Sequence, residues 1–350
     1  MNRHPGILSA LAAALLFGAS TPLAKLALSD ANPLLVAGLL YLFSGVGLAA
    51  LRAVLAAAGR MRAETPLSKA DLPWLAGAIL AGGVAAPALL LLGLLTTSGS
   101  AASLLLNLEA VATAAIAWMV FRENLDRRIA AGFACILAGG LLLSLPHAGG
   151  VAVSGGSWLI VAACICWGID NNLTRKISGS DPSQIAMWKG IVAGGVNTGL
   201  ALAMGSNLPG SGVLIGLGVV GFFGYGISLV LFVRALRHLG TARTGAYFST
   251  APFAGAALAF AIGQGRFDGA FYAAGVLMLA GVWLHVTEKH EHGHVHEPLE
   301  HEHLHFHDEH HQHEHGPDDP PGEPHAHRHK HARLKHSHAH CPDIHHRHGH

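Results

Sequence analysis

The chain has 350 residues, of which 51% are hydrophobic and only 12% are Asp, Glu, Lys or Arg, with a formal net charge of +1. Soluble globular chains carry about 25% charged residues, so the composition argues against a soluble enzyme, a nucleic-acid binder and a disordered protein. The averages hide two polymers: residues 1–289 hold 17 Lys+Arg against 10 Asp+Glu, whereas 290–350 hold 5 against 11, together with 23 of the 27 histidines.

A membrane-crossing helix needs about 20 apolar residues, and a charge at mid-bilayer costs about 2.5–3.5 kcal/mol on insertion scales. Charge-poor windows, cut at Pro, Gly, Asn and Ser clusters, therefore locate the spans. The first covers 7–28. Arg3 and His4 ahead of Ile7–Leu16 look like a signal peptide, but the apolar run continues past Pro22, which predicts an uncleaved helix. Next come 33–57, then 72–95 and 99–120, in a window whose only charge is Glu109. The charge-free stretch from Arg128 to Asp170 supplies 128–146 and most of 155–174, and the one from Lys189 to Arg234 supplies most of 182–204 and 211–236. The last two are 241–262 and 267–287, the split at Leu239–Gly240 leaving a very short loop. Lys and Arg gather in alternate loops: Arg52, Arg60, Arg62 and Lys69; Arg122, Arg127 and Arg128; Arg175 and Lys176; Arg234, Arg237 and Arg243. The loops between carry almost none, which predicts a multi-pass protein of a bacterial-type inner membrane with both termini cytoplasmic.

Leu16-Phe17-Gly18 returns as Cys166-Trp167-Gly168. Ala19-Ser20-Thr21-Pro22 returns as Ile169-Asp170-Asn171-Asn172, and Lys25 as Arg175, all at an offset of 150. Ser98–Ala110 matches Leu239–Pro252 near an offset of 142. Repeats of five helices must be inverted in the membrane, an arrangement typical of transporters with a site at the midplane. The predicted fold is all-α and polytopic, about ten transmembrane helices in two inverted five-helix repeats (1–146 and 155–287), with a disordered His-rich tail (288–350).

The aromatic-Gly motif before a polar patch, the Asn107-Leu108-Glu109-Ala110-Val111 segment, the Phe121-Arg122-Glu123-Asn124-Leu125 loop and the 5+5 spacing resemble the EamA-domain branch of the drug/metabolite transporter superfamily, over residues 7–287. The resemblance implies ten helices, cytoplasmic termini, a central cavity between the repeats and transport of solutes, often export. The sequence departs from that pattern in three places. Ala110 stands where Pro is common, although Pro252 occupies the matching place in the second repeat. The basic residue of the second helix is missing near Leu40 or Tyr41, its second-repeat equivalent being Lys189. Gly265-Arg266-Phe267 lacks the Glu of the first repeat.

Ionisable residues inside a membrane point by default to a solute pathway. Glu109, at mid-span of the fourth helix, is the strongest case, with Lys189 as candidate partner. Asp170 and Asn171, with Asn172, Thr174, Ser20, Thr21 and Lys25, form patches read either as broken-helix ligands for a solute or as ordinary helix caps. Tyr225, Ser228, Asn197, Thr198, Tyr247 and Trp188 are candidate cavity residues, or simply interhelical hydrogen bonds. No catalytic triad, phosphate loop or HExxH pattern is present, so no enzyme is expected, and the assembly is expected to be a monomer or homodimer.

In the tail His290, His292, His294 and His296 alternate, as do His301, His303, His305 and His307. The pattern returns at His325, His327, His329 and His331 and at His336, His338 and His340. Residues two apart share a face in an extended chain, and neutral imidazole suits Ni, Co, Zn and Cu ions. Few large apolar residues predict disorder without metal. Three roles remain open: a transporter of a transition metal or its chelate, served by the tail; an exporter of an amino acid or other metabolite, with the tail a regulator or buffer; or a membrane-tethered metal store. Converging carboxylates or histidines in the cavity would favour a bare metal, and an aromatic, amide-lined cavity an organic solute.

Overall fold

The computed structural model describes residues 5–29, 31–61, 64–121, 127–144, 155–264 and 268–287, and tail segments 291–296, 300–305, 325–330 and 334–339. The predicted loop at Arg122–Leu125, Gly265-Arg266-Phe267, and His290, His307, His331 and His340 lie outside the described residues.

Among the described residues thirteen α-helices and two π-helical runs assemble into ten rods. In the first repeat they are α1 (Pro5–Leu26), α2 (Pro33–Ala57), α3 (Leu72–Ala78) joined by the π run Ile79–Ala85 to α4 (Ala86–Leu94), α5 (Gly99–Leu105) with α6 (Leu108–Phe121), and α7 (Arg127–Ser144). The second repeat has α8 (Gly155–Ile177), α9 (Pro182–Ala203), α10 (Ser211–Val220) joined by the π run Gly221–Ile227 to α11 (Ser228–Phe248), α12 (Ala251–Ala261) and α13 (Gly269–Val286). Among the described residues six helical segments are long and apolar enough to cross a membrane.

The loop at Leu239–Gly240 is absorbed into continuous helical hydrogen bonding through α11. The chain nevertheless reverses there. Gly6 of α1 faces His238 and Leu239, whereas Gly18 faces Ala251 and its carbonyl oxygen meets Gly255. The chain thus runs antiparallel to α1 up to Leu239 and back along it by Ala251.

Small residues let the rods approach closely, as membrane packing requires. A Cβ on Gly38 or Gly45 of α2 would enter the α9 backbone at Thr198 or Ile191, and one on Gly190 or Gly194 of α9 would enter α2. Gly18 meets the Ala251 carbonyl, and its counterpart Gly168 meets the Thr113 amide, so the aromatic-Gly motif marks a crossing point in both repeats. The main core runs along the interface, with Leu35, Leu40, Leu90, Leu94, Leu105 and Ile160 fully buried.

The polar patches do not break their helices. α1 continues through Pro22 and α8 through Asp170–Asn172. Their side chains bond back onto the same helix instead, Ser20 Oγ to the Phe17 carbonyl (2.6 Å) and Asn172 Nδ2 to the Gly168 carbonyl (2.8 Å), a local alternative open to short polar residues. The interruptions fall elsewhere: at Leu106–Asn107, at Ser249–Thr250 and in the two π runs.

In the tail, where the sequence predicts no regular structure without metal, the described residues form four short strands: β1 (Glu291–His296), β2 (Glu300–His305), β3 (His325–Lys330) and β4 (Leu334–Ala339). β1 pairs antiparallel with β4, and β2 with β3. The reason is the period-two pattern itself, which matches a pleated strand.

Candidate functional site

Proline shapes the first wall of the site. Pro87, at the start of α4, has no N–H, so carbonyls one turn earlier lose their donor. The Gly82 carbonyl accepts instead from Tyr41 Oη (2.9 Å) and Trp167 Nε1 (3.0 Å), and the Gly83 carbonyl from Asn197 Nδ2 (3.3 Å). One π run therefore ties together α2, α8 and α9. The second run, Gly221–Ile227, closes without a proline, the Ser228 N–H reaching back to the Phe223 carbonyl. The two runs occupy matching places: a Cβ on Gly82 would strike Asp170, and one on Gly224 would strike Ser20, itself 150 residues before Asp170.

The second wall is polar. The break at Asn107 restarts the helix so that Glu109 falls in the first turn of α6, where the amide ends of the helix favour a carboxylate. Asn171 Nδ2 donates to Glu109 Oε1 (2.8 Å) and to Thr113 Oγ1 (3.1 Å). Asn172 Nδ2 donates to the Thr113 carbonyl (2.9 Å), stapling α8 to α6.

The expected Glu109–Lys189 pair does not form. Lys189, 1% exposed, donates to both oxygens of Asp170 (2.5 and 2.7 Å), and Thr174 Oγ1 donates to Asp170 Oδ1 (2.8 Å). Among the described residues Glu109 is left with one neutral donor, the Asn171 amide. Buried carboxylates need partners, and Asp170 on the neighbouring helix takes the only lysine that α9 offers.

Glu109, Asp170, Asn171, Lys189 and Tyr225 border one cavity, made of two adjoining chambers that share Phe17, Glu109, Asn171, Phe232 and Phe248. The aromatic wall is contiguous: Phe17 contacts Trp167 and Tyr225 with ring centres 5.7 Å apart, and Tyr41 meets Tyr225 at 5.2 Å. Ser228 also lines it. Trp188 does not, being 45% exposed on the bundle surface, and Tyr247 packs against the Ala10, Ala235 and Leu239 cluster. Among the residues whose side chains are described, no three His, Cys, Asp or Glu converge as a metal site.

Lys25 lies away from the cavity, at the end of α1. Its Nζ donates to the Leu94 (2.5 Å) and Thr97 (2.7 Å) carbonyls, joining the end of its repeat's first rod to the end of the third. The second repeat makes the same join with the donor on the third rod. There Arg237 donates to the Ser178 (3.0 Å), Gly179 (3.4 Å) and Ser180 (2.8 Å) carbonyls and pairs with Glu64 (2.9 Å). Beside it Arg52 pairs with Asp181 (2.5 Å) and also contacts Ser183. Desolvation pushes the Asp181 carboxyl up, but the hydrogen bonds from Ser183 and Arg52 outweigh it and hold the group below its ordinary range.

Sequence reasoning missed Gly82, Thr113 and the latch role of Arg237. Pro87 was a readable signal for the first, since its ring removes a donor wherever it sits in a helix.

A bundle of two repeats around a buried polar cavity defines a membrane transporter. The EamA-like transporter family model matches residues 4–145 and 154–287, and the chain belongs to that family. An uncharacterized transporter of Methanothermobacter thermautotrophicus is 31% identical over 299 residues, covering 81% of this chain and 87% of that one. A crystal structure 18% identical in sequence superposes with a TM-score of 0.61 over 80% of this chain and 95% of the other, a likeness of fold.

Proposed function

We propose that the chain is a secondary transporter, working as an exporter, of a small organic solute that carries a protonated amine, with a tail that binds divalent transition metal. The observation that carries the reading is Glu109. Its carboxylate accepts from the Asn171 amide and stands against a wall of aromatic rings, while Asp170 and Lys189 neutralise each other. An ammonium group gains from both the carboxylate and the ring faces. A bare divalent ion stripped of water needs several oxygen or imidazole ligands, and the cavity offers no histidine. The Ser103 hydroxyl, buried at the edge of the first chamber without a protein partner, adds a polar contact for a solute.

The loop charges support cytoplasmic termini in a bacterial-type inner membrane, and with them a cytoplasmic tail. A metal chelate is the second reading, favoured by the 23 tail histidines. Glu109 also suits proton-coupled antiport, since one carboxyl can hold either the solute's charge or a proton.

The test compares cells carrying the full chain, the chain stopped after Lys289, and Glu109→Gln. Amine-bearing metabolites in the medium are profiled, and cell metal is measured under Ni, Co, Zn or Cu challenge. Release of an amine that depends on the chain, survives the stop and is lost in Glu109→Gln is the expected result. Unchanged amines with cell metal that tracks Glu109 would overturn it in favour of the chelate. Release with the same pH dependence in Glu109→Gln would overturn the antiport role.

A further inference from the structure

We infer that β2 and β3 form a single metal-binding ladder in which histidines of both strands share each ion. This rests on the metal-binding tail proposed above and adds its architecture. The register places His301 opposite His329, His303 opposite His327 and His305 opposite His325. Residues directly opposite in an antiparallel pair share a face, so one face of this ladder carries six histidines. The other face carries Glu300 opposite Lys330, Glu302 opposite Arg328, and Leu304 opposite Ala326. Both faces are thus complementary in this one register. A slip by one residue would set every histidine against a charged or apolar residue, because the side-chain period is two.

The outer ladder continues the same alignment. Each step forward on one side is a step back on the other, both from Glu291 opposite Ala339 to His296 opposite Leu334 and from Glu300 opposite Lys330 to His305 opposite His325. It adds His292 opposite His338 and His294 opposite His336. The recurrence of histidine opposite histidine in both ladders is a second observation, independent of either strand's own alternation.

The spacing suits an ion. Opposite residues in an antiparallel pair have Cα atoms about 4.5–5.5 Å apart, and successive same-face residues lie about 6.8 Å apart. Positions this close on two strands suit an ion bridging them, since Zn–N bonds are about 2.0–2.1 Å and the usual shell takes four ligands. A two-stranded ladder is marginal alone. Metal bound by both strands supplies the missing free energy, so binding and pairing are one event. The ligand class is a borderline divalent ion such as Zn, Ni, Co or Cu.

The test uses the full chain purified in detergent and equilibrium dialysis against Zn alone. One variant replaces His301, His303 and His305 with Ala, a second replaces His325, His327 and His329, and a third replaces all six. Shared ions predict that each triple variant loses the same number of bound Zn ions and that the sixfold variant loses no more. Losses that add across the two strands would overturn the ladder and leave the metal-binding tail standing. As a control, replacing His292, His294 and His296 together with the β3 triple must give additive losses; failure to add would also overturn the assignment of separate ladders. If the chain stopped after Lys289 binds as much Zn as the full chain, the metal-binding tail fails and the ladder with it.

Discussion

The two repeats share a backbone plan and divide its chemistry unequally. At matched places the first repeat has Phe17, Ser20 and Thr21, and the second has Trp167, Asp170 and Asn171, while Lys189 of the second has no basic counterpart near Leu40 or Tyr41. Both make the same aromatic-Gly crossing, both carry a π run in the third rod, and both tie the ends of the first and third rods with one cation. Internal ion pairing around the cavity belongs to the second repeat alone, through Asp170 and Lys189. The backbone geometry is thus set by small residues and freed carbonyls, which tolerate sequence drift. The paired charges, Asp170 and Lys189, come from the second repeat, and the Glu109 carboxylate from the first.

Breaking the charged member of that comparison has the largest expected effect. Lys189→Met strands a buried Asp170, and removing one partner of a buried pair costs about 3–5 kcal/mol. Unfolding of detergent-solubilised protein should show this loss, and the double variant Lys189→Met with Asp170→Asn should recover part of it. The shared member comes next. Gly18→Ala and Gly168→Ala each force a methyl into facing backbone, where overpacking costs about 1–3 kcal/mol. Gly18→Ala should cost the more, because its methyl would stand closer to the Ala251 carbonyl oxygen than that of Gly168→Ala to the Thr113 amide, 2.9 Å away, and Gly195→Ala, which meets nothing within 4 Å, should be silent in the same assay. Tyr41→Phe, near the place matching Lys189, should cost only about 0.5–1.5 kcal/mol, because the Gly82 carbonyl keeps Trp167. Smallest is the pH effect of Asp181. A carboxyl held below its ordinary range contributes stability at neutral pH that is lost as pH falls through the depressed value. Asp181→Asn should remove about 0.5 kcal/mol at neutral pH and flatten the acid limb of a stability–pH curve.

The spans and the cavity's polar residues were legible because charge is costly in lipid, so Glu109, Asp170 and Lys189 stood out against apolar windows. Their pairing was not. Helical periodicity tells which residues share a face, but not which helices meet, and Lys189 goes to Asp170 on the adjacent α8 rather than to Glu109. Polar patches suggested helix breaks at Ser20–Pro22 and Asp170–Asn172, yet back-bonding keeps both helices whole. The turn inside α11 was legible from the glycine at the Leu239–Gly240 split, although local hydrogen bonding conceals it.

The unequal latches at the two ends of the bundle bear on how solvent enters. Freeing Lys25 breaks two bonds to carbonyls, whereas freeing Arg237 breaks three and an ion pair with Glu64. Opening free energies vary within one structure according to such local tethers. Deuterium should therefore reach the amides around Ser98–Ser103 before those around Ser178–Asp181, and the resting ensemble leans toward fraying at the Lys25 end.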